Sequence, residues 1–326
     1  MKHSDLGKAV SPGSRLSDRA WIDTIEDIAE DHGYFEPLGP DHSIAFIERG
    51  PRLLVTFETI DSIRARNNMD VPLGWALLGS QDWSQLCVLS HGETWFRHRA
   101  LYGHFDRMID DAVFDAFDQV VFYGAESCGY GAAAFSVAAP GATVIALSPQ
   151  ATLDPRIAEW DDRFVHMRRT SFTDRYGYAP DMIEAARRAY VLYDPTGMEE
   201  AMHAALFNSA NVSRIRCANM DGQIEHFLLR LGLLPPLIRS AMAGTLNELE
   251  IFRALRARRD YLPYLRNFLN EVEGRQRPWL SAVMCRSLLR RIRVPRFRHQ
   301  YARAIEALGT RPLPPPRERA AHPQQA

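Results

Sequence analysis

Between Gln85 and Leu233 short β-rich runs alternate with segments of helical periodicity, and that rhythm leaves few folds open. Strands are expected at 85–90, 119–123, 143–147, 189–193 and 212–217, and helices at 98–117, 129–138, 181–188, 198–207 and 224–233. Strands separated by helices cannot pair through tight turns, so they form a mostly parallel sheet with helices on both faces, an α/β class. Ahead of this rhythm, two β-rich runs at 43–48 and 53–58 flank Arg49-Gly50-Pro51-Arg52, which reads as an antiparallel hairpin entering the sheet at one edge.

At 326 residues the chain exceeds what one core usually holds. The expected organisation is a helical lead-in over 1–40, an α/β domain over 41–242, a small all-helical extension of hairpins over 243–309 and a disordered, proline-rich tail over 310–326. Charge follows the same division. Residues 243–326 hold seventeen arginines, no lysine and seven acids, a balance of +10 that leaves −11 for residues 1–242. Arg253, Arg256, Arg258, Arg259, Arg286, Arg290, Arg291, Arg293, Arg296 and Arg298 interleave with Phe252, Leu255, Leu288, Leu289 and Phe297. This pattern offers an anionic surface a docking face, or is simply the solvated side of helices in an arginine-biased proteome. No nucleic-acid recognition motif accompanies it.

The N-terminal residues lack the apolar run of a signal peptide, and no stretch reaches the roughly 18 apolar residues of a membrane span, so a cytoplasmic protein is expected. Cys87, Cys128, Cys217 and Cys285 stand far apart without a CxxC pair, which suggests neither a metal site nor a disulfide framework. GxxxxGK[ST] and GxGxxG loops are absent as well, and no cofactor is expected.

Chemistry concentrates at the segment from Val120 to Ala133, a strand, a tight turn and a helix of small residues. This is the setting of a nucleophile elbow, where residues flanking the nucleophile must be small because the helix crosses close to the strand. Centred on Ser127, the flanks two residues away are Ala125 and Gly129, and the N–H of Cys128 would serve the oxyanion hole together with a backbone donor near Glu58. Asp194, at the end of a strand, and His226, after the last strand, follow in the order nucleophile, acid, base, so that the His226 imidazole would take the Ser127 proton. Glu126 is a second candidate at the same turn, as a carboxylate nucleophile or general base. Each residue also has an ordinary reading: Ser127 as a small turn residue, His226 as an exposed helix residue, Asp194 as a cap, and Glu126 as a solvated turn residue.

These residues resemble the α/β-hydrolase superfamily, and within it bacterial polysaccharide-associated proteins with a Tyr-Gly-Ser-Ser-Met-Gly-Gly-Tyr elbow and a Ser-Pro-Gln strand end. The likeness covers about residues 41–235, including Leu147-Ser148-Pro149-Gln150 and Leu231-Gly232-Leu233-Leu234. Aligned without a gap on Tyr123-Gly124 and Tyr130, it puts Glu126 at the nucleophile position and Ser127 where the family has methionine. The family's histidine, usually preceded by glycine, falls here on Asp221-Gly222-Gln223, with His226 a turn further along. The resemblance implies an ester or acyl hydrolase, or an acyltransferase, acting on a carbohydrate- or lipid-linked small-molecule substrate. The alternative is a catalytically inactive hydrolase-fold binding protein. Gln150 falls at the resemblance's strand end, and the loop from Ser90 to His98, with His91, Trp95 and Phe96, is a candidate pocket wall at the carboxyl end of a strand. A second resemblance, to phosphoadenosine phosphosulfate reductases, is set lower, because their phosphate loop and C-terminal catalytic cysteine motif have no counterpart here.

Overall fold

The structure, a computed structural model, describes residues 17–66, 70–78, 81–220, 222–292, 294–309 and 312–313. The expected tail and Arg293 lie outside the described residues, apart from Pro312 and Leu313. The chain divides into two units, residues 1–257 and 258–326, so the division falls at Arg258 and the helix Glu248–Ala254 stays with the first unit.

The first unit opens with a helix over Asp18–Glu30, capped by the Ser17 hydroxyl, which accepts from the Ala20 N–H. Its buried residues Trp21, Ile25 and Ala29 recur every four positions and pack one face toward strands β1 (Gly33–Pro37) and β2 (His42–Ile47). Strands β3 (Arg52–Thr59), β4 (Ser84–Ser90), β5 (Gln119–Ala125), β6 (Thr143–Leu147), β7 (Arg188–Tyr193) and β8 (Val212–Arg216) complete one sheet in the order β1-β2-β4-β3-β5-β6-β7-β8. β2 runs antiparallel to both β1 and β4, and every other pairing is parallel. This order, with the second strand reversed, is that of the α/β-hydrolase fold.

The expected hairpin between 43–48 and 53–58 is corrected. β2 and β3 are not neighbours, because β4 lies between them, and the hairpin at this edge is β1 with β2. The turn Arg49-Gly50 instead carries the chain across one strand position, with both N–H groups donating to the Ser84 hydroxyl.

Alternation along β3 sends Leu53, Val55 and Phe57 to one face. There they meet the helices Arg99–Asp110 and Ser127–Phe135 in an aromatic cluster that includes Phe96, Phe105, Phe135 and Tyr176, with Phe135 and Tyr176 stacked at 4.4 Å. The opposite face is covered by the helix Leu234–Met242, which packs on β3 and β5. All four cysteines are buried.

The second unit is helical, with helices Leu262–Gly274, Pro278–Leu289 and Pro295–Leu308. Leu265, Leu269, Ala282, Cys285, Leu288 and Phe297 are buried, while Arg259, Arg290, Arg296 and Arg298 are exposed. Among the described residues no helix is long and apolar enough to cross a membrane.

Candidate functional site

The sheet brings β5 to a sharp turn into the helix Ser127–Phe135 with a single residue, Glu126, between them. Glu126 has φ +56° and ψ −122°, a conformation that belongs almost wholly to glycine and costs on the order of 1–3 kcal/mol in any other residue. Its N–H donates to the Leu147 carbonyl at 2.7 Å, and its carbonyl accepts from the Tyr130 N–H at 3.0 Å, so both sides of the turn are tied down. Gly124 makes the crossing possible: a Cβ there would lie 2.0 Å from the Cys128 carbonyl oxygen.

Glu126, and not Ser127, therefore occupies the apex. Ser127 is the first residue of the helix and does not line the cleft above the turn. The N–H that follows the apex belongs to Ser127, so the expectation for Cys128 moves one residue back. Cys128 itself is buried in the cleft floor, where burial holds its thiol far above the usual range.

The cleft, about 260 Å³, is lined by Arg66, Glu126, Ser148, Glu225 and His226 among others. The Glu126 side chain reaches solvent and has no hydrogen-bond or ion-pair partner among the described residues. Its carboxyl is held above the usual range by partial burial and by the charges of Glu225 and Glu200, against a smaller opposing pull from Arg163. Glu225 is fixed: it accepts from the Tyr123 hydroxyl at 2.6 Å and lies 3.3 Å from the Arg66 Nε. Arg66 in turn pairs with Glu58, and although burial opposes its charge, Glu58 and Glu225 keep the guanidinium protonated.

Glu58 is wholly buried at the end of β3, where its carboxylate accepts from the Thr56 hydroxyl at 2.6 Å and from the Leu73 N–H at 3.0 Å. It supports the cleft through Arg66 and does not line it. On the other side, Ser148 has φ +47° and donates its hydroxyl to Glu200 at 2.6 Å. The same Glu200 oxygen accepts from the Asp194 N–H at 2.7 Å, and burial raises the Glu200 carboxyl above the usual range.

Ser127, Asp194 and His226 are not joined. The buried Asp194 carboxylate accepts from the Thr196 N–H and hydroxyl (2.9 and 2.7 Å), the Asn219 N–H (3.2 Å) and the Met220 N–H (2.6 Å). It thereby ties the turn after β7 to the loop after β8. His226 is exposed on the helix Ile224–Arg230 and lines the cleft beside Glu126, without a hydrogen bond to Asp194 or Ser127. The physical reason is register: the apex lies one residue before Ser127, and the helix carries His226 beyond the loop that Asp194 holds.

The remaining candidates lie away from the cleft. His91 accepts or donates through Nε2 to the Ser43 hydroxyl at 2.9 Å and donates through Nδ1 to the Pro40 carbonyl at 3.0 Å, tethering the end of β4 to the β1–β2 connection. Trp95 is 1% exposed and packs on Phe164 and Tyr130, a core residue and not a pocket wall. Gln150 is buried outside the cleft lining. Of this site's residues, Arg66, Glu200 and Glu225 carry no local motif, whereas Ser148 belongs to the Ser-Pro-Gln strand end singled out from the sequence. A fifth, Arg97, belongs to the singled-out loop 90–98: buried, it donates to the Tyr130 hydroxyl and to the Ser171, Arg175 and Tyr176 carbonyls, pairs with Asp174, and so fastens segment 171–177 to the elbow helix.

No family model and no curated protein sequence matches this chain. Among solved structures it is similar to the capsule O-acetyltransferase of Neisseria meningitidis serogroup A, at 11% identity over 60% of this chain and 91% of that one, with a TM-score of 0.36. It is also similar to an esterase of Pyrobaculum calidifontis, at 12% identity over 71% and 94% with a TM-score of 0.42. A third is EstE1, a thermostable carboxylesterase from a metagenomic library, at 13% identity over 74% and 98% with a TM-score of 0.37. Likenesses of this size carry no argument about activity, and the fold rests on the strand order.

Proposed function

We propose that the protein is an acyl-ester hydrolase or acyltransferase in which Glu126 stands at the nucleophile elbow and acts as general base. The observation that carries this reading is a carboxylate at a strained apex, without a partner of its own, facing a cleft. A strained backbone that presents an unpaired side chain is tolerated where function uses it. A carboxyl raised above its usual range is also better matched to proton transfer near neutrality.

In the proposed reaction a water, or an acceptor hydroxyl, gives its proton to the Glu126 carboxylate and attacks the acyl carbonyl carbon. The carbonyl oxygen becomes an oxyanion facing the Ser127 N–H. Collapse breaks the acyl–oxygen bond, and the departing alkoxide takes the proton back from Glu126. His226, which lines the same cleft, contacts the alcohol portion. A cleft of about 260 Å³ fits a short acyl group and leaves the carbohydrate- or lipid-linked remainder outside. Cys87, Cys128 and Cys285, buried and outside any disulfide, support a reducing bacterial cytoplasm, and the exposed arginines of the second unit support docking to an anionic surface.

The test is turnover of p-nitrophenyl acetate and of an O-acetylated sugar by the purified chain. Glu126→Gln should lower kcat by about 10²–10⁴, whereas Ser127→Ala should retain most of it. Activity that survives Glu126→Gln and vanishes in Ser127→Ala would overturn the assignment. The saturated hydrogen bonding of Asp194 favours a second reading, a hydrolase-fold binding protein, which the absence of turnover on both substrates would select.

A further inference from the structure

At the amino ends of β6 and β7, the end of the sheet opposite the elbow, lies a second recess of about 450 Å³ lined by Thr143, Arg187, Arg188, Tyr190 and Gly244 among others. β6 separates the two places: Thr143 begins the strand and Ser148 follows its end, a span of about 16 Å at strand rise.

The backbone builds this recess. Strand register sets Arg188 beside Thr143, and the Arg187 N–H donates to the Ala142 carbonyl at 2.9 Å. Opposite them, the Tyr190 hydroxyl donates to the Leu246 carbonyl at 2.6 Å and holds the segment after the helix Leu234–Met242 in place. That segment turns at Gly244, φ +69°, where a Cβ would lie 3.5 Å from the Arg187 Nη2, so main chain runs directly alongside the guanidinium.

Its arginines differ from others of the unit in their partners. Arg156, Arg163 and Arg175 in the same unit each pair with an aspartate. Arg187 and Arg188 have no side-chain hydrogen bond or ion pair among the described residues, although they are adjacent like charges. Two acids that act on Tyr190 are hydrogen-bonded to serines instead, Glu248 accepting from the Ser213 hydroxyl at 2.6 Å and Glu250 from the Ser240 hydroxyl at 2.5 Å.

We propose that this recess binds the phosphoryl group of a small soluble molecule, with Arg187 and Arg188 as its charged ligands. Two guanidinium forks offer parallel N–H donors that match phosphate oxygens, and a doubly charged anion removes the repulsion between them. A recess of this volume, within the range of small-molecule pockets, fits a phosphomonoester with a few carbons attached. The site is independent of any activity at Glu126.

The test is calorimetric titration of the full-length protein with inorganic phosphate and with glycerol 3-phosphate, chloride keeping the ionic strength constant. Saturable binding is expected, weakened at least about tenfold by Arg187→Gln or Arg188→Gln and unchanged by Arg52→Gln, an exposed arginine at the same end of β3. The joint variant should abolish it while circular dichroism stays native; the single variants decide if the joint one unfolds. Absence of saturable heat with either ligand up to tens of millimolar, or equal affinity in the Arg187 and Arg188 variants, overturns the proposal. Co-sedimentation with phosphatidylcholine vesicles containing phosphatidic acid separates the sources: binding there that the two arginine variants lose, without affinity for glycerol 3-phosphate, would replace the soluble ligand with a lipid headgroup and overturn that part.

Discussion

Removing the Glu58 carboxylate with Glu58→Ala should be among the most damaging single changes in the first unit. Glu58 is 0% exposed, and the Arg66 side chain with which it pairs is 8% exposed. Breaking a buried pair from one side costs about 3–5 kcal/mol because the surviving charge keeps its desolvation penalty. Glu225, near the Arg66 Nε, offsets part of this. The buried Leu73 N–H also loses its acceptor, a further loss of about 1–3 kcal/mol. Together these give about 4 kcal/mol. With a urea m-value of about 2–3 kcal/mol/M, the midpoint should fall by about 1.3–2 M. Tryptophan fluorescence reads the correct unit, since Trp21, Trp75, Trp83, Trp95 and Trp160 lie in it and Trp279 alone in the other. A joint Glu58→Leu, Arg66→Met variant should be less destabilised than the sum of its two single changes, because no unpaired guanidinium remains. A loss below about 1 kcal/mol for Glu58→Ala at unchanged m, or strict additivity in the joint variant, would refute the reasoning.

Gly124→Ala should destabilise by about 3 kcal/mol or more, since its Cβ would press on the Cys128 carbonyl, whereas Gly92→Ala, with open space around it, should stay within about 0.5 kcal/mol in the same urea titration. Glu126→Gly should stabilise the fold by about 1–3 kcal/mol while abolishing esterase turnover, because glycine accepts the apex conformation without strain. The folded protein holds the Glu126 proton more tightly than the unfolded chain, so the group's stabilising contribution is present below its usual range and lost as pH rises through the raised value. Midpoints of Glu126→Gln and wild type should accordingly diverge in favour of the variant toward neutral pH and converge in acid.

The strand–helix rhythm after Gln85 was legible because β4 to β7, buried on both faces, read as short apolar runs, while a helix such as Arg99–Asp110 buries one face and shows its period. The β2–β3 turn misled because local chemistry specifies a reversal but not the neighbour: Arg49-Gly50-Pro51 would suit a hairpin, and only the distant β4 decides otherwise. β1 went unread because an edge strand ending in Pro37, half-exposed over most of its length, lacks a burial pattern. At the site, small residues revealed where the turn lies, yet Ser127 and Glu126 are adjacent, and which of them takes the positive φ is a property of backbone register. Arg66, Glu200 and Glu225 come from three separate helices and meet only through the sheet, so no spacing announces them.

The interleaving of β4 between β2 and β3 sets a timetable for synthesis. β2, buried along its whole length, emerges with β1 as its one available neighbour, and its second edge waits while residues 48–83 are made. At roughly 5–20 residues per second that wait lasts seconds. β3 waits longer, since it borders β4 on one side and β5 on the other. Two strongly apolar edges thus stand open on the ribosome at once, and pairing with each other is the error nearest to hand. The native arrangement is reached only when the later strand enters between them.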